Sequence, residues 1–299
     1  MQTTSGLRRS TQARSRALAV DRNRIPPLPA AAADIQGSMH TARRIAGLAA
    51  QLAANRAFLL SWDRGQAADS ERGLVMYRSE VQYAPLNGVL RINDCDIDRA
   101  LTDARQNFAG LPWVWWVGPD SAPETADELL RRGAAELERL PVLVMDASLA
   151  ASVQAPAGIA IDRVRGPAEL TEFVLAHSFA ASLRAPDVRL MVAHEAALLR
   201  AERVDLFAAR AGGRIVGTSM AWVSHGVTGI YLVGTHPDFR GSGIGTALTA
   251  AAVRAGEARG GQVAALTASA MGEPVYRRMG FSEVTQYRLL SVPTWSEPN

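Results

Sequence analysis

Apolar and polar positions along the chain alternate between two periods, and each change of period marks an element. Over residues 41–56 the apolar side chains Ile45, Leu48, Ala49, Leu52 and Ala53 recur at helical spacing, which predicts an amphipathic helix. Strand-like runs follow at 73–81 and 88–92, joined through Pro85-Leu86-Asn87-Gly88, where Asn-Gly is a strong turn signal. A helix is expected at 96–108, an apolar strand at 112–117, a helix at 124–132 and paired strand material at 135–145. The stretch 147–158, rich in Ala, Ser and Pro, reads as a linker. Beyond it the pattern predicts a strand at 159–164, helices at 167–179 and 188–201, and strands at 205–211 and 214–223 that meet at Gly212-Gly213. A strand at 227–233 runs into a glycine-rich segment and an alanine-rich helix to about 259. The chain closes with a strand at 262–268, a short helix at 273–279 and strands within 281–290.

The two passes echo each other. Leu129-Leu130-Arg131-Arg132-Gly133 can be laid on Tyr276-Arg277-Arg278-Met279-Gly280, each a helix stopped by a glycine suited to a left-handed cap. A duplicated domain explains this, and so do two unrelated α/β units that share a common helix stop. At 299 residues the chain is long enough for two domains.

Composition narrows the chemistry. All 32 basic residues are arginine, so reactions that need a lysine amine, such as the Walker A loop or a pyridoxal Schiff base, are excluded. Cys95 is the only cysteine, which forbids an intrachain disulfide and paired-cysteine zinc sites and fits a reducing, cytoplasmic setting. The histidines never fall at i, i+4, and His194-Glu195 lacks the second histidine of a zincin, so no metal is expected. Six of the 32 arginines and two of the 29 acidic residues lie in 1–38; the remainder holds 26 basic against 27 acidic residues. The basic character belongs to that segment, read as a disordered tail, and does not argue for nucleic-acid binding by the folded body. The apolar stretch after Arg8-Arg9 is too short for a signal h-region, and no run is long enough to span a membrane.

The segment Arg240-Gly241-Ser242-Gly243-Ile244-Gly245-Thr246 is the most informative. Glycines at the start of a helix turn free N–H groups into one concavity, the helix dipole adds positive potential, and Arg240 adds a cation. The natural guest is a diphosphate. It is not the dinucleotide fingerprint, because Thr246 stands where a third glycine is needed.

With its flanking strands and Pro274-Val275-Tyr276-Arg277-Arg278-Met279-Gly280-Phe281, this segment closely resembles the GCN5-related N-acetyltransferase (GNAT) family over residues 158–292. The resemblance implies an α/β (mixed α+β sheet) fold with two tandem GNAT-like domains: a degenerate one at 39–147, a linker at 148–158 and a catalytic one at 159–299. It implies acetyl-CoA as co-substrate, with the pyrophosphate on backbone amides of Arg240, Gly241, Ser242, Gly243, Ile244, Gly245 and Thr246. The pantetheine arm would lie along Val233, Gly234 and Thr235, with Gly234 at a strand bulge and Val233 or Thr235 polarising the thioester carbonyl. Tyr276 resembles the family's general acid; its alternative is a buried core aromatic.

Where many relatives carry a glutamate base, this chain has Tyr231, so desolvation or a water relay to His177, His194, Glu195 or His225 is expected to deprotonate the amine. His236, before Pro237, is expected to shape the loop. The first pass lacks these features: only Asn93-Asp94-Cys95 joins its strand to its helix, and Leu129 stands opposite Tyr276. Trp113, Trp115 and Trp116 are read as core rather than ligand surface. The expected function is transfer of acetyl to a primary amine of a small molecule or peptide, in a ternary complex by direct attack. The alternative is a non-catalytic acyl-CoA-binding regulatory module. The acceptor loop near 178–187 carries no diagnostic pattern beyond Arg184, and neither nucleic acid nor membrane is an expected partner.

Overall fold

The structure is a computed structural model that describes residues 47–65, 73–150, 153–177 and 183–293. The expected tail at 1–38 therefore lies outside the described residues, as do 41–46 of the first helix and 178–182 after the fourth. Helix α1 (Leu48–Leu60) is followed by β1 (Leu74–Arg78), β2 (Asn87–Ile92), α2 (Ile97–Asn107), β3 (Val114–Val117), α3 (Thr125–Arg131) and β4 (Ala135–Asp146). The second half contains β5 (Ala160–Arg163), α4 (Pro167–His177), α5 (Ala185–Arg200), β6 (Val204–Ala211), β7 (Arg214–Ser224) and β8 (Val227–Thr235). It ends with α6 (Ile244–Ala258), β9 (Val263–Thr267), α7 (Glu273–Arg278) and β10 (Ser282–Ser291).

All strands join one mixed sheet in the order β1-β2-β3-β10-β4-β9-β8-β7-β6-β5. The pairs β2/β3 and β9/β8 are parallel and the rest antiparallel. Read from β1 to β7, the order is unchanged by exchanging β1 with β7, β2 with β8, β3 with β9 and β4 with β10. The duplication suspected from the helix stops is thus written into the sheet. Its centre is an exchange, since β10 lies between β3 and β4, and β4 lies between β10 and β9.

This corrects one expectation. The closing segments of the two passes are not strand pairs but single strands of 12 and 10 residues, because each pairs with the other instead of folding back on itself. The register runs from Ser282 opposite Val144 to Ser291 opposite Ala135. A second correction concerns Asn87-Gly88, which lies within β2 rather than in the turn. Asn87 is fully buried and ties the preceding loop down: its Oδ1 accepts from Ser79 N at 2.9 Å, and its Nδ2 donates to Val81 O at 2.9 Å and Pro112 O at 3.1 Å. A β-carbon on Gly88 would stand 2.3 Å from Val114 O, so the close approach of β3 requires glycine there.

One face of the sheet is covered by α1, α4 and α5, through Leu52, Phe58, Leu170, Phe173 and Met191 against Leu206, Met220 and Trp222. On the other face α6 and α7 cover the second half, through Ile244, Leu248 and Tyr276. There α2 and α3 cover the first half, through Leu101, Phe108 and Leu129 against Trp113, Trp115 and Leu290. Burying each such large side chain stabilises the fold by roughly 1.5–3 kcal/mol, and the tryptophans are core as expected. No helix among the described residues is long and apolar enough to cross a membrane.

The exchange makes each half the owner of a central strand of the other. A chain cut within 153–158 should therefore give halves that are insoluble or unfolded when expressed singly, and a stable complex when co-expressed. Pull-down through a tag on one half, followed by thermal melting, checks this. A cooperative melting transition from either half alone would contradict it.

Candidate active site

The geometry around the glycine loop follows from its residues. After β8, His236 Nδ1 accepts from Asp238 N at 3.3 Å, which shapes a short 3₁₀ turn at Pro237–Phe239. Gly241 and Gly243 then take φ of +76° and +88°, values that a side chain with a β-carbon resists. Gly243 is the N-cap of α6 and has no side chain to bond the first amides. The first intrahelical bond noted is Ala247 N to Gly243 O at 3.1 Å, so the amides before it face the loop. Ser242 Oγ donates to Phe239 O at 2.6 Å, and Ile244 is buried as the anchor of the first turn. A β-carbon on Gly245 would meet only Thr235 Oγ1, at 3.7 Å. Arg240 is exposed, and its Nε donates to Thr235 O at 3.2 Å, which ties the loop to the end of β8. Pro156 of the linker passes 3.8 Å from the β-carbon position of Gly243.

Beside this loop the sheet opens. The parallel ladder of β8 and β9 runs only from Val227/Val263 to Gly229/Ala265. Beyond Gly229 the edge of β8 that faces β9 carries backbone groups without a strand partner. The register against β7 shifts between Thr218/Gly234 and Met220/Tyr231, an extra residue on β8. The bulge expected at Gly234 is centred instead on Leu232, whose φ is +54°. Thr218 Oγ1 donates to Leu232 O at 2.8 Å and holds the bulge. A non-glycine residue in this conformation costs about 1–2 kcal/mol, which the surrounding ladder must supply.

Tyr276 stands on the α6 side of the opening. It is buried on α7, edge-on to Phe281 at 6.0 Å, and burial pushes its hydroxyl up to about 12. On the opposite side stands Tyr231, stacked on Phe58 of α1 with ring centroids 3.6 Å apart. Its hydroxyl donates to Asn55 Oδ1 at 3.3 Å, and burial pushes its ionisation well above the usual tyrosine range. Leu52, Asn55, Gly229, Tyr231, Thr267 and Tyr287 line the narrow space that remains. The role of α1 as a roof over β8 was not legible in the sequence, where the helix carried only an amphipathic signal.

Of the four candidate proton acceptors, the structure brings two together. His177 Nε2 is 2.9 Å from Glu195 Oε1, with both side chains buried. His194 is set apart, stacked on Trp62 at 3.8 Å, and burial, helped by Arg64, lowers its pKa to about 4. His225 sits in the β7–β8 turn with Ser224 Oγ 2.7 Å from its Nδ1, at the end of β8 far from the loop. Arg184 pairs with Asp187 at 3.1 Å.

The matching place in the first half is closed. There the N-cap of α2 is Asp96, whose carboxylate accepts from Asp98 N at 3.0 Å and Arg99 N at 2.9 Å and so occupies the helix end with a negative charge. The end of β2 is sealed, since Ala122 N donates to Ile92 O at 3.0 Å and Ile92 N donates to Ser121 Oγ at 3.3 Å. Leu129, opposite Tyr276 in the repeat, is fully buried.

Residues 202–283 match the acetyltransferase (GNAT) domain family. Among solved structures, a GCN5-related N-acetyltransferase from Kribbella flavida superposes with a TM-score of 0.63 at 22% identity, covering 82% of this chain and 96% of that one. A tandem GNAT protein from the clavulanic acid biosynthesis pathway gives 0.54 at 13% identity, covering 75% and 79%. A functionally unknown conserved protein from Staphylococcus epidermidis gives 0.57 at 14% identity, covering 76% and 94%. No curated protein sequence matches the chain.

The buried neutral ring of His194 has a measurable consequence. Above pH 6.5 both folded and unfolded chains hold it neutral and its contribution is whole. As pH falls from 6.5 toward 4, only the unfolded chain takes up the proton, so stability drops, by about 2 kcal/mol after allowing for partial exposure. His194→Phe keeps a ring against Trp62 and should lose that part of the acid slope. Urea unfolding at pH 7 and pH 4.5 measures it, and equal slopes in the two proteins would contradict the assignment.

Proposed function

With a GNAT acetyltransferase domain at residues 202–283 as premise, we propose that this protein transfers acetyl from acetyl-CoA to a primary amine of a small molecule or peptide, by direct attack in a ternary complex. The observation that carries the reading is the uncapped N-terminus of α6, behind a loop of two positive-φ glycines, at the place where β8 parts from β9. A helix end of this kind receives a diphosphate through backbone N–H groups and the dipole, and no β-carbon at Gly241 or Gly243 stands in the way. The residues present thus fit acetyl-CoA, which supplies the activated acyl group. Amides from Arg240 to Thr246 hold its pyrophosphate, and the open edge of β8 at Val233, Gly234 and Thr235 offers bonds of the kind an added strand makes. An amide there polarises the thioester carbonyl.

Tyr276 serves as the acid for the departing thiolate. Because burial displaces its ionisation to about 12, it stays protonated through the neutral range. The first half keeps the fold and supplies α1 as a wall of the acceptor space. Asp96 at its helix end leaves one coenzyme site per chain. The single free Cys95 supports a reducing, cytoplasmic setting.

Acetyl-CoA should raise the melting temperature where NAD and ATP at equal concentration do not; at a hundredfold excess over Kd the gain is about 2.7 kcal/mol. Calorimetric titration should give one site, and Gly243→Val should abolish both signals. Two equivalent sites, or an unchanged shift in the variant, would refute this placement. Tyr276→Phe should bind acetyl-CoA normally and turn over about 10² slower, the low end for a general acid, because a thiolate also leaves partly unassisted. Full activity in this variant would return Tyr276 to the core.

A further inference from the structure

The end of α4 bears directly on the bulged strand. The Cα of His177 lies 4.0 Å from the place a β-carbon would take on Gly234, next to the stretch of β8 that follows Leu232. His177 keeps only 4% of its side chain exposed and Glu195 none, and the Nε2 to Oε1 distance is 2.9 Å. Glu195 Oε2 is buried and has no hydrogen-bond partner, and among the described residues no guanidinium pairs with this carboxylate. A buried carboxylate is costly to desolvate, a cost that a mere tie between α4 and α5 does not require, since an amide or an apolar contact would join the helices more cheaply. The bond to Glu195 fixes the imidazole: with Nε2–H donating to the carboxylate, Nδ1 is the basic nitrogen.

Among the described residues the surroundings add no competing base. On β8 the titratable side chain is Tyr231, turned to Asn55. On α5, His194 is stacked on Trp62 and Asp187 is bonded to Arg184 and Gln82 N. On α4 itself, Glu169 and Glu172 pair with Arg210. On β7 the neighbour is Thr218, whose hydroxyl is spent on Leu232 O. His177 belongs to the sheet face covered by α1, α4 and α5, whereas Tyr276 belongs to the other.

We infer that His177, oriented by Glu195, accepts the proton of the acceptor's ammonium group, so that base and acid address the opening from opposite faces. The inference rests on the acetyltransferase reading above. The ammonium gives one proton to Nδ1 of His177, and the freed nitrogen bonds to the carbonyl carbon of the acyl thioester, whose C–S bond then breaks. Tyr276 protonates the departing sulfur and is reprotonated by the second proton that leaves nitrogen. One net proton exits through His177, and amide and thiol are the products.

The test uses the full chain as wild type, His177→Gln and Glu195→Gln, with acetyl-CoA and a panel of primary amines followed by thiol release. Both variants should bind acetyl-CoA with unchanged affinity by calorimetry, which also establishes that they fold. For the best amine, His177→Gln should lower kcat/KM by about 10²–10⁴ and lose the acid limb of its pH profile. Glu195→Gln, which leaves a weaker acceptor for Nε2–H, should lower kcat with KM little changed, and by less than His177→Gln does. A His177→Gln enzyme with wild-type rate and limb overturns the inference alone. A wild type that does not bind acetyl-CoA, or binds it without thiol release on any amine, removes the acetyltransferase reading and the inference with it. Independently of any acceptor, histidine NMR should show the neutral His177 ring carrying its proton on Nε2, toward Glu195, with Nδ1 bare. A proton on Nδ1 instead also overturns the inference.

Discussion

The antiparallel pairing of β4 with β10 is the interaction on which the rest of the molecule depends. It joins the last strand of the first half to the last strand of the second, along a register that extends from Val144/Ser282 to Ala135/Ser291. Each of these strands also completes the other half, β10 against β3 and β4 against β9. Where β9 turns toward β4, it leaves β8 beyond Gly229, and the opening beside the glycine loop is the consequence. The candidate site is therefore a product of the exchange as much as of the second half alone.

Most of the elements were legible, because their signals are local. Helix α2 is bounded by an Asp96 cap, and the Gly212-Gly213 turn forces positive φ at both residues. Strands β7 and β8 lie where apolar runs and turn residues predict them, so here local pattern and turn chemistry agree with the fold. The strands at 135–146 and 282–291 were misread as pairs for a physical reason: length and hydrophobicity say that a segment pairs, but not with what. Asn87-Gly88 failed differently. A turn-forming dipeptide was used for a buried side-chain tie and a close strand approach, and both depend on contacts distant in sequence.

The same division runs through the site. The glycine loop and the helix start behind it could be read from seven consecutive residues, since a glycine loop before a helix contains its own geometry. The bulge could not be assigned to Leu232, because it is a mismatch of register between two strands and Leu232 bears no mark of a positive φ. His177 and Glu195 were visible as candidates, yet indistinguishable from His194 and His225 until α4 and α5 were packed together. Phe58 and Asn55 carried no signal at all. Their meaning arises only when α1 crosses from its own half of the sequence onto β7 and β8.

That crossing gives the first half a part in the candidate site. With Asp96 capping its helix and the β2 edge bonded to Ser121 and Ala122, the matching helix end of the first half is met by the chain's own carboxylate. Yet its strands flank β10, and its first helix roofs the space in which an acceptor would meet β8. Loss of the first half would expose the edge of β10 that pairs with β3 and uncover Tyr231 together. On the proposed reading this half constrains the other, and its side chains can change the shape of the acceptor space without touching the residues of the glycine loop.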